Sequence, residues 1–553
     1  MNFKSIYYPV FLGLSLSVLS QQKAPENWFN LDYSINKVNG VSTERTYTEL
    51  LKNKTSKTVI VGVIDSGVDF EHEDLKDVMW TNTKEIPGNG IDDDKNGYID
   101  DIHGWNFLGG KDGKNVDEET IELTRLLRLY KKRFGEKTES EISSSDKNDF
   151  KFYLELKTAY ETEMNEAQQN NLQISFIKQM LETINKKAKE QLKLEKITVK
   201  DLENFKAEDA RQKQMLGPVT AMLAGGSDLD ALLEQLKEGA DYYDNKIKYN
   251  LNLEFDPRNI IGDDYKNQTE RFYGNADCNG PNSLHGTHVA GIIAANRKNN
   301  IGIKGVADNV QIMAIRAVPD GDEHDKDIAN SIYYAVDNGA SVINMSFGKK
   351  YSYNKKVVDD AIKYAESKDV LIVHAAGNDA LNIDKITHYP CKKFENSNVE
   401  ASNFIDVGAL NWRDSAYVPA SFSNYGKKTV DVFAPGVDIY SSKNGGGYIN
   451  ESGTSMASPV TAGVAAVLRS YYPFLTATQV KDIIKKSVDK RYKKKKIILP
   501  GDKEEKAKEK FATLSETGGI VNLYNAVLLA EKLDKKNYFI KKEKKVRKIK
   551  SKF

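Results

Sequence analysis

The chain of 553 residues sets 80 Lys+Arg against 79 Asp+Glu, a formal net charge of +1, and is 40% hydrophobic. Near-neutrality removes the electrostatic ground for expecting nucleic acid or an anionic membrane surface as partner, and the apolar fraction is enough for one large core or two to three domains. Two cysteines, Cys278 and Cys391, exclude a disulfide framework and leave open whether they pair with each other.

Residues 1–20 join Lys4, an apolar run from Ile6 to Leu19, and Val18 and Ser20 three and one positions before a cut near Gln21. This is the layout of a cleavable secretory signal peptide, and the run is short for a bilayer span. No later segment is apolar enough to span, so a secreted or periplasmic chain without a membrane span is expected.

Residues 21–57 read as an N-terminal extension. Val59-Ile60-Val61-Gly62-Val63-Ile64 is a continuous β-branched run, the mark of a strand buried on both faces of a parallel sheet. It ends at Asp65-Ser66-Gly67, which places Asp65 at a strand's carboxyl end, where open α/β sheets gather their functional groups. The loop from Asn89 to Asp101 sets Asp92, Asp94 and Asn96 at alternating positions before Gly97, with Asp100 following. Such spacing suits calcium or a solvated acidic turn. His103 stands where an EF-hand needs its bidentate glutamate, so that motif is incomplete.

From 116 to 248 the composition turns to Lys, Glu, Gln and Leu with apolar residues at helical spacing: Leu123, Leu126, Leu127, Tyr130, Phe134; Ile177, Leu181, Ile184, Ala188; Leu229, Leu232, Leu233, Leu236, Ala240. Thr198 with Asp201, and Ser227 with Asp230, look like helix-starting caps. This predicts a helical insertion of four or five helices whose leucine stripes pack on each other.

His285 opens a helix in Ser283-Leu284-His285-Gly286-Thr287-His288-Val289-Ala290-Gly291. Strands at 310–318, 341–345, 370–375, 404–410 and 429–433 then alternate with helices at 327–337 and 355–367, as in a doubly wound, mostly parallel α/β sheet with helices on both faces. In Glu451-Ser452-Gly453-Thr454-Ser455-Met456-Ala457-Ser458-Pro459, small residues let a tight turn run into a closely packed helix, with Ser455 at its start and Pro459 expected in its first turn. Helices follow from Thr476 with Gln479 and from Gly518 to about Leu533, and residues 534–553 form a basic tail.

An aspartate after a strand, a histidine at one helix start and a serine at another, in that chain order, carry the segments DSGVD, HGTHVAG and GTSMASP. The ordered set resembles the subtilisin-like (subtilase) serine peptidases, over residues 58–115 and 249–533 and leaving out the insertion. The resemblance implies an exported serine endopeptidase needing no catalytic cofactor and working through an acyl-enzyme, with Ser455 as nucleophile, His285 rather than His288 as base, Asp65 as its partner and Asn378 as oxyanion donor. Extended polypeptide would lie beside Ser346, Phe347 and Gly348 and against Ala375, Ala376 and Gly377, with His388 at the base of the primary pocket, making it shallower or more polar. Asp74 and Asn299 match a calcium position of that family, so structural calcium is expected; the partners implied are polypeptide substrates, with no nucleic acid, and the chain is read as a monomer. The insertion departs from the family pattern. Lying between the aspartate and histidine segments, it is expected to limit access to the cleft or to do the work of the prodomain that residues 21–57 are too short to form.

Overall fold

A computed structural model describes residues 23–223 and 228–533. The signal-like segment 1–20, Ser227 of the second expected cap, and the basic tail 534–553 lie outside these residues. Ala24–Glu122 together with the chain from Phe255 onward form one compact unit, and Leu123–Glu254 form another.

The first unit is built on seven parallel strands: β1 (Val59–Asp65), β2 (Gly104–Asn106), β3 (Val310–Arg316), β4 (Val342–Met345), β5 (Leu371–Ala375), β6 (Phe404–Leu410) and β7 (Val432–Pro435). Their order across the sheet is β2-β3-β1-β4-β5-β6-β7. The chain reverses its direction of strand addition at β1, and the crevice outside the carboxyl ends of strands at such a switch point is where open α/β sheets bind ligands. Asp65 ends β1, Ser346 follows β4 and Asn378 lies just beyond β5, so neighbouring strand ends carry three of the expected site residues.

Alternation along the strands assigns the two faces. Val59, Val61 and Val63 pack in one core with helices Leu284–Ala294 and Thr454–Tyr471, while Ile64 packs in the other with Ile328, Ile332, Ala361 and Ile362 from helices Asp325–Asp337 and Lys355–Ser367. The first pair of helices can lie deep because they are rich in Gly and Ala. A Cβ on Gly463 would sit 2.6 Å from Val306 Cβ, closer than carbon atoms tolerate.

The strand expected at 429–433 starts instead at Val432. Lys428 and Thr429 donate backbone N–H groups to Asp384 Oδ1, and the Thr429 hydroxyl joins them, which holds that stretch in a loop. The sequence pattern also passed over the short edge strand β2 and an antiparallel hairpin, β8 (Ile439–Ser442) with β9 (Tyr448–Glu451), which feeds Gly453 and the helix after it. Thr476 and Gln479 form a capping box on helix Ala477–Ser487.

The segment before β1 is threaded into this unit. Trp28 and Phe29 are fully buried, Trp28 Nε1 donates to Asp438 O, Asn39 Nδ2 donates to Asn411 O and Arg413 O, and Leu523 N donates to Val41 O. Cys278 and Cys391 are both free thiols.

The second unit is helical, with helices Glu122–Phe134, Lys147–Leu192, Val199–Leu202, Ala210–Leu223 and Leu229–Asn245. Leu181, Ile184 and Ala188 on the 46-residue helix pack with Leu223, Leu229 and Leu232. Thr198 and Asp201 do form a capping box, and Asp228 caps the last helix by accepting from Ala231 N. No helix of the described residues is long and apolar enough to cross a membrane.

Candidate active site

The Asp65 side chain is buried, and its Oδ1 accepts from His285 Nδ1 at 2.7 Å and from the Ser66 N–H at 2.8 Å. The two partners are 220 residues apart and meet because two backbones nearly touch. Gly67 turns with φ +117°, open to glycine, and a Cβ on Gly286 would strike the Gly67 carbonyl. Desolvation works against a charged His285, but the Asp65 carboxylate and its hydrogen bond outweigh that and hold the imidazole above its ordinary value, with Glu451 adding a smaller push. His288 differs in every respect. Its Nε2 bonds Ile439 O and Ile449 O on the hairpin, and burial, then the neighbouring His285, push it down to about 4. It is a structural, uncharged ring.

Ser455 is the second residue of helix Thr454–Tyr471, and Pro459 lies inside that helix rather than in its first turn. Proline has no N–H, so the carbonyl four residues earlier, that of Ser455, loses its helical partner. The Ser346 hydroxyl donates to it at 2.9 Å. Ser346 is itself held by Asn344 Nδ2 and lies 3.2 Å from the Ser458 hydroxyl, which donates to Asn344 Oδ1 at 2.6 Å. Expected as a substrate contact, the Ser346 side chain is thus turned inward to the backbone of Ser455. The Ser455 hydroxyl donates at 3.0 Å to the Ser346 carbonyl, not to His285.

Asn378 Oδ1 accepts from both the backbone N–H and the hydroxyl of Thr454, each at 2.9 Å. That leaves its amide group free of the helix start. A Cβ on Gly453 would lie 3.4 Å from Asn378 Nδ2 and 3.5 Å from Ser455 N, so two N–H donors flank one open spot beside the serine, the arrangement an oxyanion needs. Asn424 steadies the same loop, its Nδ2 donating to Ala376 O and its Oδ1 accepting from Asp379 N and Leu381 N. Thr454 and Asn424 escaped the sequence analysis, although Thr454 sits inside GTSMASP and Asn424 inside the turn-like Ser423-Asn424-Tyr425-Gly426.

Ala375 and Ala376 are buried at the end of β5, and Gly377, at φ +98°, donates its N–H to the Thr454 hydroxyl at 3.0 Å. Phe347 O is bonded by His374 Nε2 at 2.9 Å. His388 lies against Gly348, where an added Cβ would overlap its ring, and near Gly377, where an added Cβ would be 3.2 Å from its Nε2.

Residues 56–511 match the model of the Subtilase family. The chain belongs to that family. Among curated subtilases it is similar to the thermophilic serine proteinase of Bacillus sp. (strain AK1), 46% identical over 187 residues, which is 34% of this chain and 42% of that one. It is also 39% identical to subtilisin DY of Bacillus licheniformis over 210 residues, 38% of this chain and 70% of the relative. A subtilisin of Bacillus pumilus is 41% identical over 204 residues, 36% and 68%. The chain spans less than half of the first of these relatives.

Calcium is typical of subtilases, and two places were expected to hold it. Asp74 and Asn299 do meet, but as acceptor and donor: Asn299 Nδ2 bonds Asp74 Oδ1 at 2.8 Å, while Ile303 N and the Tyr448 hydroxyl bond Oδ2. Both Asp74 oxygens thus accept hydrogen bonds from the protein. In the acidic loop, Asp92 and Asp94 gather with Glu85, one oxygen from each lying within 4.8 Å of the others. That set of hard oxygens fits a calcium ion. Glu85, which comes seven residues before Asp92, supplies the carboxylate that position 103 lacks. Asp100 is not part of that carboxylate group. Asn96 Oδ1 accepts from Tyr98 N, and the Asp100 carboxylate caps the N–H groups of Gly88, Asn89 and Gly90.

Proposed function

We propose that this subtilase is an exported serine endopeptidase acting through Asp65, His285 and Ser455. The observation that carries the reading is the Asp65–His285 bond at 2.7 Å, which fixes the tautomer so that Nε2 is the free, basic nitrogen. For turnover the Ser455 hydroxyl exchanges the Ser346 carbonyl for His285 Nε2. Oγ then attacks the scissile carbonyl as its proton passes to His285, and the oxyanion is met by Asn378 Nδ2 and Ser455 N. The C–N bond breaks as His285 returns that proton to the leaving amine. Water repeats the sequence on the acyl-enzyme, with His285 again as base, and frees Ser455.

Substrate is an extended polypeptide lying along the segment after β4, with its side chain between Phe347–Gly348 and Ala375–Gly377. The signal-like layout of residues 1–20 supports export. Glu85, Asp92 and Asp94 would hold a calcium ion that braces the loop and takes no part in the chemistry.

The opposing reading, a catalytically silent scaffold, draws on one observation: the Ser455 hydroxyl bonds Ser346 O. A fluorophosphonate probe with digestion of an unfolded protein decides between them. An active peptidase is labelled at Ser455 and digests, and Ser455→Ala does neither; an unlabelled wild-type protein means a scaffold.

A further inference from the structure

We propose that the His388 imidazole closes the primary side-chain pocket, so that this subtilase cleaves after short residues, alanine, serine or asparagine, in preference to leucine or phenylalanine. The proposal rests on the peptidase reading above and names its substrate class.

The two walls of that pocket end in glycines. Gly348 closes the segment after β4, and Gly377 closes the segment after β5. One imidazole reaches both: its Cε1 occupies the space a Cβ on Gly348 would need, and its Nε2 stands 3.2 Å from where a Cβ on Gly377 would be. The backbone that carries the ring is anchored beside the wall, because the residue after it makes paired backbone bonds, Lys349 N to Tyr389 O at 2.8 Å and Tyr389 N to Lys349 O at 2.9 Å. A side chain entering between the walls therefore meets the edge of this ring.

Beyond the ring there is unused room. A cavity of about 210 Å³ is lined by His388 itself with His374, Ala376, Ile383, Thr387 and Asp406, and neither wall glycine lines it. His388 is thus the partition between the cleft and this space. Its Nδ1 is buried with no hydrogen-bond partner among the described residues, and burial, then the neighbouring His374, push the ring down to about 4. At neutral pH it offers no charge, only a polar ring nitrogen, Nε2, which suits a serine or asparagine side chain better than a long apolar one.

The test uses the full chain and a set of peptides identical except for the residue before the cleaved bond: Ala, Ser, Asn, Leu or Phe. Wild-type protein should show kcat/KM for the first three at least about tenfold above the last two, the scale on which a closed apolar pocket discriminates. His388→Gly, which joins the pocket to the cavity, should raise the Phe-to-Ala ratio about tenfold or more. His388→Ser is the second variant, and thermal unfolding identifies which variant is folded; if neither is, the wild-type ranking alone decides. A wild-type preference for Leu or Phe, or an unchanged ratio in a folded variant, overturns the proposal. If Ser455 takes up fluorophosphonate while the ranking is wrong, only the pocket assignment falls. If Ser455 is not labelled and no peptide is cut, the peptidase reading falls and takes this proposal with it.

Discussion

The Ser346 hydroxyl donates at 2.9 Å to the Ser455 carbonyl, the group that Pro459 leaves without a helical partner. The backbone of the proposed nucleophile is therefore held by a side chain from a neighbouring strand end. Ser346→Ala leaves that carbonyl and the Asn344 amide unsatisfied in a buried place, a loss of about 1–3 kcal/mol. Chemical denaturation should show that drop. The variant's kcat should fall with KM little changed, because the lost hydroxyl is turned inward to the Ser455 backbone.

The Asp65–His285 pair sets a pH dependence. His285 must be uncharged to act as base, and Asp65 holds its folded value above the ordinary 6.5. The acid limb of the kcat/KM profile should therefore lie above 6.5, with activity appearing as pH rises through it. The linked stability has the opposite sense: it is fully present below about 6.5 and is lost as pH rises through the folded value. Asp65→Asn should lower kcat by about 10⁴, since the tautomer is no longer fixed. A profile unchanged in that variant rules out the pairing as the source of the limb.

Asn378→Ala removes one of the two N–H groups proposed to meet the oxyanion. Such a deletion costs about 10²–10³ in kcat, or about 2.7–4 kcal/mol, a figure that itself comes from a subtilisin. Steady-state kinetics should show the loss in kcat and not in KM. Thr454→Val keeps the amide present but frees Asn378 Oδ1 from one of its two donors, so a smaller fall is expected.

Two glycine substitutions separate positioning from packing. Gly463→Ala overlaps Val306 deep in the core and should cost about 1–3 kcal/mol in stability. Gly286→Ala strikes the Gly67 carbonyl beside Asp65, so it should push the histidine helix off the aspartate turn. Its signature is a loss of kcat larger than its loss of stability accounts for, read by comparing rates with unfolding midpoints.

Glu85, Asp92 and Asp94 predict a response to calcium. Wild-type protein should melt lower after chelation and recover with calcium added back, by about 2.7 kcal/mol when the ion is at 100 times its dissociation constant. Asp92→Asn should abolish the shift. A wild-type Tm indifferent to chelation eliminates the loop as a cation site.

Most strands of the main sheet and the three motif segments were legible because each is a local pattern: a β-branched run for β1, and small residues around Asp65, His285 and Ser455. What could not be read is whatever depends on a partner distant in the chain. Ser346 looks like a substrate contact until Pro459 is seen to orphan the carbonyl it serves, and Glu85 is an ordinary glutamate until Asp92 and Asp94 fold back on it. The late start of β7 has the same cause, since Thr429 is claimed by Asp384 from another loop. Propensity says nothing about such bonds.

The burial of Trp28 and the closing of Val41 on Leu523 tie the earliest described part of the first unit to its last described helix. A ribosome delivers Val41 and Leu523 far apart in time, so this seam between the two ends of the unit closes only after residue 523 has been made.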